Sequence, residues 1–164
     1  MFPAMMSDMI RFLPCVLIAA SSLAGQAPNV NTSRLDIASV VVVRLKNQTD
    51  MLAGLQEAIA REKIKNAVIM SGFGSVTKYH VHVVGNTTFP PKDVFSKESG
   101  PYDLLTVSGL VMNGRLHCHI TLASTQRVTG GHLETGTSVF TFAVINIGVL
   151  KDGADLTRAD DWKW

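Results

Sequence analysis

Arg115-Leu-His-Cys-His-Ile-Thr-Leu-Ala123, introduced by Asn113-Gly114, is the stretch on which the fold turns. An Asn-Gly dipeptide between apolar runs tolerates positive φ at both positions and marks a two-residue hairpin. Tyr102 to Leu110 before it and Arg115 to Ala123 after it are therefore predicted as neighbouring antiparallel strands. Outward from this hairpin, Ser138 to Leu150 reads as a long apolar strand and Val76 to Val84 alternates as another. Asn66 to Met70 begins a further strand, with Gly72 and Gly74 reading as the turn between it and Val76. Residues 85–101 are expected to be a loop, because Pro90-Pro91 and Gly100-Pro101 interrupt any ladder. Gly130-Gly131 and Gly136 bracket a short tight segment.

Towards the N-terminus, Ser39 to Leu45 contains four consecutive valines and is predicted to be a strand covered on both faces. Thr49 or Asp50 then offers an N-cap, and Leu52, Leu55, Ala58 and Ile59 recur at helical spacing through Lys63. Gln56, Glu57, Arg61 and Glu62 lie on the opposite, solvated side. One main helix among six or seven strands with hairpin-type turns defines an α+β domain, a mostly antiparallel sheet packed against that helix.

The chain has 164 residues, 46% hydrophobic and 17% charged, enough apolar surface to exclude intrinsic disorder. A net charge of +2 is not the footprint of a dedicated nucleic-acid binder. Residues 1–27 read as a secretory signal peptide: Arg11 flanks an apolar run from Phe12 to Leu23, and small residues follow at Ser22-Leu-Ala24 and Gly25-Gln-Ala27. A secreted or periplasmic location is the expectation. Residues 28–38 are then a flexible N-terminal segment, 39–150 the folded domain, and 151–164 a polar tail, bearing Trp162 and Trp164, expected to be poorly ordered. Cleavage near Ala27 removes Cys15 and leaves Cys118 with no intrachain partner. No segment after the leader could span a membrane.

The five histidines form two H-x-H pairs and a single: His80-Val-His82, His117-Cys-His119 and His132. Residues two apart on a strand share a face, so His117 and His119 stand side by side while Cys118 points away as a small buried hydrophobe. A metal ion shared by that pair needs a further ligand, and the candidate is Gly130-Gly-His132, on a backbone free to approach closely. Three neutral imidazoles suit zinc or another divalent transition metal and leave a fourth position open to water. The plainer alternative is ordinary hydrogen-bonded histidines beside a glycine turn. That alternative weighs more for His80 and His82, which could still add a ligand or orient one. Glu134, two residues after His132, shares its face in an extended backbone and is the candidate to orient an imidazole or act as a general base. A solvated turn residue is its plainer role, and Asp103 is read as structural.

Gly72-Phe-Gly-Ser-Val76, Tyr102-Asp-Leu-Leu-Thr-Val-Ser-Gly109, Gly114-Arg-Leu-His-Cys-His-Ile120 and Val128-Thr-Gly-Gly-His-Leu-Glu-Thr-Gly136 together resemble the PPC domain (plants and prokaryotes conserved) from about Val40 to Val149. The resemblance implies an α+β homotrimer whose fold is related to that of acetolactate decarboxylase and of a zinc-dependent ester hydrolase. Both of those hold zinc with histidines, so His117, His119 and His132 are the positions that carry over as ligands. The resemblance leaves the biological role open; hydrolase- or lyase-type chemistry on a small carbonyl compound is the function that such a metal site suggests. Alternatives are a non-catalytic trimer that binds a small-molecule ligand or serves as a scaffold, and a DNA-associated regulator. This chain departs from the family pattern at Val144, where members often carry Glu after Ala143. In plants the domain follows an Arg-Gly-Arg-Pro core that reads the minor groove; no such motif occurs here, and nucleic acid is not an expected partner.

Overall fold

Among the described residues, six strands and one helix make up the folded unit, which begins at Arg34. A computed structural model describes residue 30 and residues 32–161. The leader proposed for residues 1–27 lies outside the described residues, as do Trp162 and Trp164. In chain order the elements are β1 (Ile37–Lys46), α1 (Met51–Arg61), β2 (Ala67–Val84), β3 (Asp93–Met112), β4 (Arg115–Ala123), β5 (Val128–Leu133) and β6 (Ser138–Leu150). All pairings are antiparallel, in the order β1-β6-β2-β3-β4-β5. The last strand also returns to the first half of that list: β5 pairs with the far end of β2 through Val81↔Leu133 and His82↔His132. Strands β2 to β5 thus curl into a closed ring, while β6 and β1 extend the sheet from the other end of β2.

One face of this sheet is apolar by strict alternation. Leu116, Cys118, Ile120 and Leu122 of β4 face the core together with Ala143, Ile145 and Ile147 of β6. Helix α1 covers them with Met51, Leu55, Ala58 and Ile59, the stripe its spacing requires. Burying one such aliphatic side chain stabilises the fold by about 1.5–3 kcal/mol before entropy is counted. Asp50 is the N-cap: its Oδ1 accepts the Ala53 amide hydrogen at 3.0 Å while its Oδ2 accepts that of Gly136 at 2.6 Å. A single carboxylate therefore caps the helix and anchors the loop that follows β5.

The hairpin at Asn113-Gly114 is as expected, with φ of 50° and 82° at its two residues. Other expectations need correction. Gly72 and Gly74 are not a turn; β2 runs unbroken from Ala67 to Val84. A Cβ at Gly74 would stand 2.2 Å from the Phe142 carbonyl oxygen, so glycine lets two backbones approach where the strand bends. Residues 93–101 are not loop but the first half of β3, paired with β2 from Lys78 to Val84. Gly100-Pro101 is accommodated at a bulge, where the register shifts between Val76 and Lys78 and no ladder hydrogen bond is demanded of the proline. Strand β1 lies at the edge of the sheet and is covered on one face only: Val43 and Leu45 are buried, whereas Val40 and Val42 are exposed.

Within the polar tail, residues 151–161 contain turns and pack against the sheet. Leu156 is buried with Met112 and Leu150, and the Asn66 side-chain amide donates to the Ala154 carbonyl at 2.7 Å. An apolar anchor and a few polar contacts hold it there, which overall composition does not reveal.

Candidate metal centre

The solvent-side face of β4 carries Arg115, His117, His119 and Thr121, because their neighbours occupy the core. Register then decides what meets them. His132 of β5 stands directly opposite His119 of β4 and, on its other side, directly opposite His82 of β2. Directly opposed residues of antiparallel strands share a face, so imidazoles from three strands converge on one row. The two glycines before His132 permit this. A Cβ at Gly130 would lie 2.3 Å from the Ile120 carbonyl oxygen, and one at Gly131 2.5 Å from that of His82. Any larger residue would push β5 away from the strands on either side.

His117, His119 and His132 each present a ring nitrogen, and these atoms lie within 4.8 Å of one another. Nε2 of His117 is 3.2 Å from Nε2 of His119. Two nitrogens bound to one zinc ion at tetrahedral angles are about 3.3 Å apart, given Zn–N bonds of about 2.0–2.1 Å. The donor types suit such an ion, and the His117–His119 pair already has its spacing. Burial is the main cause that lowers the His132 pKa, to about 4, with the neighbouring His117, His82 and His119 adding to it. His119 is lowered for the same reason, burial first and then His117 and His82. Both rings are accordingly neutral at pH 7, the form that ligates a metal.

Behind His117 lies an ionic network joining β4 to the C-terminal segment. His117 donates Nδ1–H to Asp160 Oδ2 at 2.9 Å, and Arg115 grips the same carboxylate with Nη1 on Oδ2 and Nη2 on Oδ1, each at 2.9 Å. Arg115 holds the Asp160 carboxyl down at a pKa of about 2, with His117 adding to the effect. A carboxylate oxygen only accepts, so Nδ1 of His117 carries a proton, and in the neutral ring Nε2 turns its lone pair towards His119. Arg115 could have been placed beside His117 from strand periodicity. Asp160, 43 residues along the chain, left no local signal.

His82 and its partners form the neighbouring wall. Its ring stacks on His132 with centroids 4.6 Å apart, its Nδ1 is 2.7 Å from Glu134 Oε1, and its Nε2 is 3.8 Å from Asp93 Oδ1. Glu134 is partly exposed, and the imidazole its carboxylate orients is that of His82. The His80 Nδ1 is 2.7 Å from the Thr135 carbonyl oxygen, and its ring packs against Phe95 at 5.7 Å, outside the cluster. Asp103 is exposed opposite Ala123, four positions along β4 from His119. Val144 pairs with Phe73, nine positions along β2 from His82. Cys118 faces the core, where burial pushes its thiol pKa up to about 12.

These observations define a class: an α+β domain with one curled antiparallel sheet and a three-histidine cluster on its solvent side. The sequence profile of the Plants and Prokaryotes Conserved (PCC) domain matches residues 33–151, and the chain belongs to that family. Among curated proteins no relative matches. Solved structures with the same fold include a metal-containing protein from Archaeoglobus fulgidus, 22% identical over 74% of this chain and 86% of that one, with a TM-score of 0.64. A plant- and prokaryote-conserved protein from Pyrococcus horikoshii is 21% identical over 77% and 87% of the two chains, with a TM-score of 0.63. A hypothetical protein from Salmonella is 18% identical over 73% and 83%, also at 0.63. At these identities the likeness extends to the fold.

Proposed function

We propose that His117, His119 and His132 hold zinc or another divalent transition metal in an exported PPC-domain protein, and that the site performs hydrolase- or lyase-type chemistry on a small carbonyl compound. The observation that carries this reading is the 3.2 Å approach of two Nε2 atoms, one of them backed by a carboxylate on its own Nδ1. That is the arrangement by which proteins orient a ligating imidazole and raise its basicity. When bound, such an ion supplies a Lewis acid and lowers the pKa of water at its open position. The chain's own residues then do the rest: Asp160 and Arg115 hold one ligand, β5 delivers another opposite His119, and the Glu134–His82 pair flanks His132 with a second oriented imidazole. The metal-containing relative from Archaeoglobus fulgidus supports the reading by analogy of fold.

Export rests on the leader-like residues 1–27, and assembly as a homotrimer on the family resemblance. Support for self-association also comes from an apolar groove on the sheet, where Phe73, Phe142, Phe140 and Leu105 are all exposed in the single chain. The same groove favours a second reading, a non-catalytic trimer that binds a ligand or partner. Metal analysis of protein purified without an affinity tag, beside a His117→Ala/His119→Ala variant, separates the proposals. Stoichiometric metal lost in the variant, with chelator-sensitive turnover of an ester, acyl or keto-acid substrate, supports the catalytic reading. Metal with no turnover favours the binding trimer, and equally negligible metal in both proteins removes the site.

A further inference from the structure

The segment after β6 reaches back across the molecule to the metal centre, and it does so outside the residues that define the family. The family profile ends at residue 151, whereas Asp160 lies beyond it. Residues 151–161 are nonetheless tied down at several points. Leu156 is buried against Met112 and Leu150, the Ala154 carbonyl accepts from Asn66, and the Ala159 amide donates to the Leu156 carbonyl at 3.0 Å. This turn delivers the Asp160 carboxylate to Arg115 and His117 on the solvent side of β4.

Resting on the metal-site reading above, we infer that Asp160 is a positioning residue of the metal centre: the docked C-terminal turn sets the His117 tautomer and aims its Nε2 at the shared cation position. Three geometric facts carry this. The Nδ1 to Oδ2 distance is 2.9 Å, so the imidazole hydrogen on that side is committed to the carboxylate. The two-pronged Arg115 contact fixes the plane of the carboxylate, so it also fixes the ring. The opposite nitrogen of the same ring is the one that stands 3.2 Å from His119. Arg115, Asp160 and His117 therefore act as one unit, with Arg115 holding Asp160 and Asp160 holding the ligand. Coupling of this kind is reciprocal: if the docked turn favours the metal, the metal favours the docked turn.

The test uses the full chain and its Asp160→Ala and Asp160→Asn variants, the second retaining side-chain volume should the first fold poorly. Long-range proton–nitrogen spectra of the metal-free protein, with His117 signals assigned by their loss in His117→Gln, read the tautomer directly. Wild type is expected to carry the proton on Nδ1, Asp160→Ala to lose that preference, and Asp160→Asn, whose amide oxygen still accepts, to keep part of it. Competition with a chromophoric chelator is expected to show zinc binding about 10- to 100-fold weaker in Asp160→Ala, with Asp160→Asn between it and wild type. A wild-type His117 protonated on Nε2, or variants that match wild type in both tautomer and zinc affinity, would overturn the inference. Should wild type take up no zinc, the metal reading falls by itself, and the tautomer still decides whether Asp160 positions His117.

Discussion

His119 and His132 stand directly opposite each other across the β4–β5 pair, so the geometry of the centre depends on one strand register. The alternation period of a strand is two residues, and a slip of one would turn His132 to the core side. Gly130 guards that register, since a Cβ there would lie 2.3 Å from the Ile120 carbonyl oxygen. Gly130→Ala is therefore expected to destabilise the fold by about 1–3 kcal/mol, the usual cost of overpacking. It is also expected to weaken metal binding, because β5 carries His132 with it when it is pushed off β4. Urea unfolding of the metal-free proteins and a zinc competition titration check the two effects separately.

Acid is expected to destabilise the metal-free protein in two windows. His132 has a folded pKa of about 4 against an ordinary 6.5, held down mainly by burial and then by its neighbouring histidines. Between those values the unfolded chain binds a proton that the folded chain refuses, so stability falls as pH falls from about 6.5 to about 4, and this loss is complete below that. Asp160, at about 2 against 3.8, contributes stability above pH 3.8 that is lost as pH falls towards 2. Urea midpoints measured across this range should show both losses. His132→Gln should flatten the upper window and Asp160→Asn the lower.

Cys118 separates the two H-x-H histidines of β4 in sequence but not in space, because it points into the core. Its thiol, raised to about 12 by burial, is expected to resist a maleimide or iodoacetamide under native conditions and to react on unfolding. Peptide mass spectrometry after timed labelling reads this at residue 118. Rapid native labelling would place the thiol on the histidine side and undo the assignment of faces.

Much of this was legible because short-range periodicity carries it. The H-x-H spacing places His117 beside His119, the diglycine announces close approach before His132, and Asn113-Gly114 marks the hairpin. What escaped depends on contacts between distant residues. Gly74 looks like a turn until Phe142 is seen lying over it, and Gly100-Pro101 looks like a break until the bulge opposite β2 absorbs it. Val40 and Val42 suggested a strand covered on both faces, but β1 turned out to be an edge with one apolar face open. Asp160 was invisible for the same reason: a carboxylate in a polar tail acquires meaning only when Leu156 docks the turn and Arg115 captures it.

The central claim is a cation held by three imidazoles, and X-ray absorption at the zinc edge tests it most directly on mature, tag-free protein loaded with one equivalent. The account predicts stoichiometric uptake and about three imidazole nitrogens at about 2.0–2.1 Å together with one further light ligand. His117→Ala/His119→Ala should abolish the uptake. Failure to bind one equivalent, or a spectrum dominated by sulfur at about 2.3 Å, would contradict it.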